Sequence, residues 1–311
     1  MIEYQRIILA DAIRNDAFAR ALKSVVKKGE STVADIGSGT GFLSFLASRF
    51  GARRCDLYEQ SELLLLSKKL AEENGIKNCR FVHKHSTEVP NPPKADIVIS
   101  ETLGNFALEE NILETMNDAH RFLKTGGTLI PQSLTQFVAP VVTDTQFREV
   151  TSWDRVGLDL AYSVARNLSV NNVYVRSVRP KDLLAGKDGV RTWDRIDFRK
   201  TNKSLRRAIV EWKIQKPATI YGFALWWEAL LVPGVTLSTA PSAPRTHWEQ
   251  VFLPVTAPVE AVPGDILTLN LRSDSRYEIK INLSWEVCCR SASGHERTRQ
   301  SMDMIRGYVD A

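Results

Sequence analysis

Two hydrophobic periodicities divide the chain. Between Thr32 and Ile130, short apolar runs alternate with segments whose apolar positions recur at helical spacing. The runs predict strands over Thr32–Ile36, Arg54–Tyr58, Arg80–His83, Ala95–Ser100 and Thr128–Ile130. The periodic segments predict helices over Ile8–Lys23, Phe42–Phe50, Glu62–Asn74 and Glu110–Leu123. Punctuation supports these limits: Ser61 caps a helix, Gly51 and Gly75 stop two, Gly126-Gly127 break the last, and Pro131 closes the region. Alternating strands and helices imply a parallel sheet with its ligand at the carboxyl edge of the strands.

Beyond Pro131 the helical period gives way to short β-rich runs at Gln136–Val142, Asn172–Val178, Arg207–Ile214, Gly222–Leu231, Ile266–Leu271 and Glu278–Glu286. Turns such as Pro233-Gly234 and Pro263-Gly264 separate them, which reads as a barrel or sandwich. Thr151–Asn171 interrupts this pattern with a mixed, partly helical insertion. The expected fold is therefore an α/β Rossmann-like domain over 1–131, followed by an all-β barrel-like domain over 132–311. A chain of 311 residues suits two cores.

Composition narrows the class little, because apolar content of 43% and charged content of 25% are ordinary for a globular protein. No apolar run approaches the roughly 18 residues of a membrane helix, and the mixed Met1–Arg20 stretch is not expected to be a secretory leader. Cys55, Cys79, Cys288 and Cys289 form no CxxC pair and are expected as free thiols of a reducing cytoplasm. Histidines and cysteines do not cluster at ligand spacing, so no metal is expected. Charge is uneven within a net +5. Ala95–His120 holds six acids and no Lys or Arg, whereas Arg176–Arg207 holds eleven bases against four acids. The basic stretch reads as a solvated surface; the acid cluster asks for more.

Val33-Ala-Asp-Ile-Gly-Ser-Gly-Thr-Gly41 has a strand running into Asp35, glycines at Gly37, Gly39 and Gly41, and a helix from Phe42. This is the layout that holds a nucleotide-like ligand at a helix N-terminus. Glu59 ends the next strand, 24 residues after Asp35, where an acid accepts hydrogen bonds from ribose hydroxyls. At the edge of the fourth strand stands Ser-Glu101-Thr-Leu-Gly-Asn-Phe-Ala-Leu-Glu109-Glu110, which places Glu101 and Glu110 nine positions apart around a loop. Paired acids suit general acid/base work, a metal or a cationic substrate. A planar guanidinium, with five donors in a fork, matches two convergent carboxylates best. Each close pair is worth about 4 kcal/mol at an effective dielectric near 20. Asp11 and Arg14, three apart, share a helix face.

These residues resemble the protein arginine N-methyltransferase family over nearly the whole chain. Asp35–Gly41 resembles its cofactor motif, and Glu59 its ribose-binding acid. Glu101 and Glu110 match its double-E loop, Thr246-His247-Trp248 its Thr-His-Trp loop, and Asp11 with Arg14 its D-x-x-R helix. The resemblance implies S-adenosyl-L-methionine as cofactor, bound by Arg14, Asp35, Gly37, Gly39, Gly41 and Glu59. The family's adenine-contacting acid aligns with Thr87, adjacent to Glu88, and both are expected at the cofactor. Glu101, Glu110, His247 and Asp11 would be the catalytic set, with Asp11 pairing His247. The implied substrate is arginine in a protein or peptide; a small guanidine or amine is the alternative. The insertion at 151–171 takes the place of the family's dimerisation arm and implies a homodimer.

Departures accompany the likeness. The family's Y-F-x-x-Y helix has no full counterpart in the ten residues before Asp11, where Tyr4 is the one candidate. The interior of the acid loop resembles members that make symmetric dimethylarginine, whereas Thr-His-Trp is typical of asymmetric producers. No Asn-Pro-Pro-Tyr acceptor loop follows the fourth strand, since Asn91-Pro92-Pro93 precedes it, so a nucleic-acid substrate is not expected. Both glutamates together with His247, Asp11 and Arg14 argue against a catalytically quiet scaffold.

Overall fold

Five parallel strands, β1 (Thr32–Ile36), β2 (Arg54–Tyr58), β3 (Cys79–Val82), β4 (Ala95–Ile99) and β5 (Leu123–Ile130), lie in the order β3-β2-β1-β4-β5. The computed structural model describes residues 2–308. Helices α1 (Ile2–Ala10) and α2 (Ala12–Val25) precede the sheet, and α3 (Phe42–Arg49), α4 (Leu63–Glu73) and α5 (Ile112–Ala119) connect its strands. Strand order reverses between β1 and β4, so their carboxyl ends open a crevice there. All of β1 is buried, and its two polar residues are satisfied internally: Thr32 by Asp96, and Asp35 by Ser44.

Two predicted helices change shape. The single helix expected over Ile8–Lys23 breaks at Asp11, whose backbone is extended and whose carboxylate accepts the Arg14 N–H as the N-cap of α2. An N-cap cannot also be a mid-helix residue, so α1 becomes a separate helix. The helix expected over Glu110–Leu123 shortens to α5. Gly126-Gly127 do not end an element but sit inside β5, where the pairing with β4 slips between Ala95↔Leu123 and Ile97↔Thr128. Gly126 has φ 75°, as a bulge requires.

The second half contains β6 (Ser133–Val141), α6 (Thr145–Val150), α7 (Ser163–Val170), β7 (Tyr174–Arg176), β8 (Arg191–Asp197), β9 (Leu205–Lys213), β10 (Ala218–Val232) and β11 (Val235–Ser238). It continues with β12 (Gln250–Ala261), β13 (Ile266–Asp274), β14 (Asn282–Arg290) and β15 (Glu296–Asp303). These form two antiparallel sheets. One has the order β7-β12-β10-β6-β8 with β11 on β10, and the other β15-β14-β13-β9. Contacts of β8 with β9 and of β12 with β15 bring the sheets together as a barrel-like body. Trp212, Trp227, Trp285, Phe223 and Phe252 fill its core, and the Trp285 indole donates to the Pro254 carbonyl at 2.8 Å.

Several strands had weak sequence signals. β12 contains Pro254 and Pro258, which argue against a strand; Pro254 is accommodated opposite Gly222, beside an irregularity in the β10–β12 pairing. β8 reads Arg-Thr-Trp-Asp-Arg-Ile-Asp and buries only one face. The run expected over Glu278–Glu286 begins at Asn282 instead, leaving 275–281 as a loop. In the insertion a 3-10 turn at Ser152–Arg155 leads to α7, and Leu158, Leu160 and Val164 are exposed. All four cysteines are free thiols. Among the described residues no helix is long and apolar enough to cross a membrane, and no cluster of His, Cys, Asp or Glu could hold a metal ion.

Candidate active site

The glycine turn leaves β1 at Ile36 with Gly37, Gly39 and Gly41 at φ 72°, 52° and 85°, values a side chain resists. Their roles differ. Gly37 and Gly39 line the cavity described below, and the Gly39 N–H donates to Glu59 Oε2 at 2.9 Å. Gly41 caps α3 outside that lining, where a Cβ would meet Ser67 Oγ at 2.4 Å and Phe45 Cζ at 2.7 Å. Asp35 lies behind the turn, accepting from the Ser44 N–H and hydroxyl. Complete burial pushes its carboxyl up to about 7, against the Ser44 hydrogen bonds. The other Glu59 oxygen accepts from the Ser61 N–H at 2.8 Å, so the acid is fixed by backbone donors on both sides.

The acid loop is held from the second domain. The Trp248 indole donates to the Leu103 carbonyl at 2.7 Å and the Trp227 indole to the Gly104 carbonyl at 3.0 Å. The Glu249 N–H donates to Asn105 Oδ1 at 2.9 Å. Glu109, the extra acid, turns inward and accepts the Asn105 N–H at 2.6 Å. A Cβ at Gly104 would lie 2.1 Å from Glu109 Cγ, which explains the glycine. Glu109 therefore shapes the loop, while Glu101 and Glu110 are left on the cavity wall.

Arg14 comes from the first turn of α2 and pairs with Glu101, donating through both Nε and Nη2 to Oε2. Both side chains are buried. Asp11 serves two tasks. Oδ1 caps α2, while Oδ2 accepts from the His247 N–H at 2.7 Å and from His247 Nδ1 at 2.8 Å. Burial pushes the Asp11 carboxyl up, but the hydrogen bonds from Arg14 and His247 outweigh it and hold it below the ordinary value. A carboxylate only accepts, so Nδ1 carries a proton, and in the neutral ring the lone pair is on Nε2. Nε2 is buried without a protein partner, and His247 lines the cavity.

That cavity, about 450 Å³, runs along the carboxyl edge of the sheet from Glu101 and Glu110 past the glycine turn and Glu59 to Lys84, His85 and Ser86. Helix α1 roofs it with Tyr4, Gln5 and Ile8. The Tyr4 hydroxyl donates to Glu110 Oε1 at 3.0 Å. Partial desolvation at the cavity mouth, then the charge of Glu101, pushes the Glu110 carboxyl up to about 7, against the Tyr4 hydrogen bond.

The predicted residues are thus gathered, with differences. Arg14, Asp35, Gly37, Gly39, Glu59, Glu101, Glu110 and His247 line the cavity, and Asp11 stands behind His247. Thr87 and Glu88, expected at the base end, lie on the 3-10 turn Ser86–Glu88 outside the lining. They fix His85 instead, Thr87 Oγ1 meeting Nδ1 at 2.7 Å and Glu88 accepting the His85 N–H at 3.2 Å. Tyr277, Gln5 and Thr115 also line the cavity and went unread. Only a pattern of contacts between distant segments could have found them.

A family model described as the arginine methyltransferase oligomerization subdomain matches residues 133–288, half of the chain. The chain belongs to the arginine methyltransferase family. A methyltransferase domain model matches residues 27–174. The histone-arginine methyltransferase CARMER of Drosophila persimilis is 26% identical over 315 residues, covering 94% of this chain and 58% of its own length. The probable histone-arginine methyltransferase CARMER of Drosophila melanogaster has the same identity and coverage. The chain thus spans 58% of the length of these relatives. Among solved structures, the Trypanosoma brucei PRMT1 enzyme-prozyme heterotetrameric complex with AdoHcy aligns at TM-score 0.84 and 21% identity, covering 97% of this chain and 98% of that one. Arabidopsis thaliana protein arginine methyltransferase 10, in an open conformation, aligns at TM-score 0.80 and 19% identity, covering 98% of each chain.

Against that family the N-terminal departure has a structural answer. A helix does precede the D-x-x-R segment, and its single tyrosine reaches the second glutamate of the arginine methyltransferase double-E loop.

Proposed function

We propose that this chain is an S-adenosyl-L-methionine-dependent methyltransferase acting on a guanidino nitrogen of arginine in a protein or peptide. The observation that carries the reading is the convergence of Glu101, Glu110 and the unpartnered His247 Nε2 on one cavity that also contains the glycine turn and Glu59. The residues fit the cofactor. Ser38 Oγ and Thr102 Oγ1 are buried without partners at the glycine turn, and Gly37 and Gly39 present bare backbone there. Arg14 would hold its carboxylate and Glu59 its ribose hydroxyls.

When bound, the cofactor supplies an electrophilic sulfonium methyl. The protein's part is to bind and orient a delocalised, weakly nucleophilic guanidinium. Glu101 and Glu110 draw its positive charge to one end, leaving the other terminal nitrogen richer in electron density and held in near-attack position. A guanidinium beside Glu110 offsets the repulsion from Glu101 and restores the carboxylate. His247 Nε2, with Asp11 holding the proton on Nδ1, accepts the proton the product nitrogen releases. Asp11 acts through His247 and is a positioning residue.

Titrating the AdoHcy-saturated protein with an arginine peptide, and with the same peptide carrying lysine, tests the substrate class. The forked pair of acids predicts at least tenfold tighter binding of the arginine form. Equal affinities, or binding of free arginine alone, would replace the peptide reading.

The same reading includes a homodimer. The insertion exposes Leu158, Leu160 and Val164, with Leu158 87% accessible, while Phe42, Phe45, Leu46, Leu70 and Ile76 line an apolar groove between α3 and α4. Docking the insertion of one copy on this groove of a second copy covers both surfaces.

A further inference from the structure

Besides His247, the barrel sends Tyr277 into the cavity. Tyr277 lies on the 275–281 loop between β13 and β14, yet it lines the cavity beside His85 and Thr115 of the first domain. Its ring meets the His85 ring edge to face, centroids 5.7 Å apart and planes at 81°. Its hydroxyl end faces Thr115, and partial burial raises its pKa. The loop is latched in place. Asn111 Nδ2 donates to the Ser275 carbonyl at 2.7 Å, and the buried Ser275 hydroxyl donates to Glu114 at 2.9 Å. Both partners belong to the first turn of α5 or its cap, directly after Glu110.

The order of strands says which part of a ligand lies there. Along the carboxyl edge, β4 carries Glu101, β1 the glycine turn, β2 the ribose-ready Glu59, and β3 leads to His85. A nucleoside whose ribose is held by Glu59 and whose reacting end points to Glu101 must put its base beyond β2, over the end of β3. His85, fixed by Thr87 and Glu88, and Tyr277, set edge to face against His85, wall that end.

Resting on the cofactor reading above, we propose that Tyr277 and His85 form the aromatic wall against which the adenine ring packs. The barrel therefore contributes directly to cofactor affinity. A base gains affinity by stacking on an aromatic side chain, so losing one ring predicts roughly tenfold weaker binding. Domain contact through the 275–281 loop also makes cofactor affinity report on how the barrel sits against α5.

Calorimetry with S-adenosylhomocysteine tests this without turnover. Tyr277→Ala is expected to raise Kd about tenfold, Tyr277→Phe to stay within about threefold, and Ile279→Ala, on the same loop but outside the cavity, to match the parent. His85→Ala, which leaves the barrel untouched, is expected to weaken binding in the same direction and keeps the test open should Tyr277→Ala misfold. A parent that binds, with Tyr277→Ala and His85→Ala within twofold of it, overturns the assignment alone. Equal tenfold losses in Tyr277→Ala and Tyr277→Phe overturn ring packing in favour of a role for the hydroxyl. A parent that does not bind at millimolar ligand overturns the cofactor reading and this assignment with it.

Discussion

Asp11→Asn isolates the orientation of His247 from every other feature of the site. Asn caps a helix about as well as Asp, so the Oδ1 bond to the Arg14 N–H at 2.9 Å can persist and α2 keeps its start. The other oxygen, which takes two donors at 2.7 and 2.8 Å, becomes an amide NH₂ that can accept from neither. The imidazole can answer by moving its proton to Nε2, but the backbone N–H of His247 cannot move its own. The orphaned N–H costs about 1–3 kcal/mol, so thermal stability falls by several degrees. The tautomer change costs more in rate, because the nitrogen facing the cavity becomes a donor. General-base contributions of this kind are worth about 10²–10⁴. The assay is kcat on an arginine peptide beside Kd for AdoHcy. We expect kcat lower by about 10²–10⁴ and Kd within about threefold, since Arg14 stays in place. A kcat within threefold of the parent would remove the Asp11–His247 pair from the chemistry.

Other expectations follow from the same geometry. Glu101→Gln removes the charge paired with buried Arg14 and should lower kcat about 10²–10³, with a loss of thermal stability that AdoHcy partly restores; an unchanged rate would exclude Glu101. Glu110 stands at about 7 in the free protein, so it takes up a proton as pH falls through 7 and loses its hold on a cation. The acid limb of kcat/KM should therefore break near 7, and Glu110→Gln should flatten it; an unaltered limb would assign it to another group. Leu158→Asp with Val164→Asp should convert dimers to monomers by light scattering; an unchanged mass would remove the insertion from the interface. Gly41→Ala should destabilise the protein without direct ligand contact, since its Cβ meets Ser67 and Phe45; a melting temperature equal to the parent's would refute this.

The parallel sheet was legible because buried strands and amphipathic helices leave long, simple patterns, and β1, β2 and β4 fall where the apolar runs placed them. The site was legible where chemistry concentrates in one stretch: the glycine turn, Glu59, Glu101 and Glu110. Boundaries failed where a residue had a second task, as when Asp11 ended one helix to begin another. β12 was hidden by its prolines and β8 by an edge-strand composition with one buried face. Thr87 and Glu88 stand outside the cavity lining while the adjacent His85 and Ser86 belong to it, since alignment gives position along the chain but not which neighbour points inward. Tyr277 and the tryptophans that pin the acid loop act across more than a hundred residues, a relation no local pattern encodes.

In the proposed reaction, Glu101 and Glu110 present a guanidinium to a methyl donor. Incubating the protein with methyl-labelled S-adenosylmethionine and an arginine-rich peptide, then locating the label by mass spectrometry, tests it most directly. Label is expected on guanidino nitrogens of arginine, and is expected to be lost when Glu101 or Glu110 is replaced by Gln. Label on carboxyl or hydroxyl groups, or stoichiometric cofactor binding with no transfer to any guanidine, would contradict it.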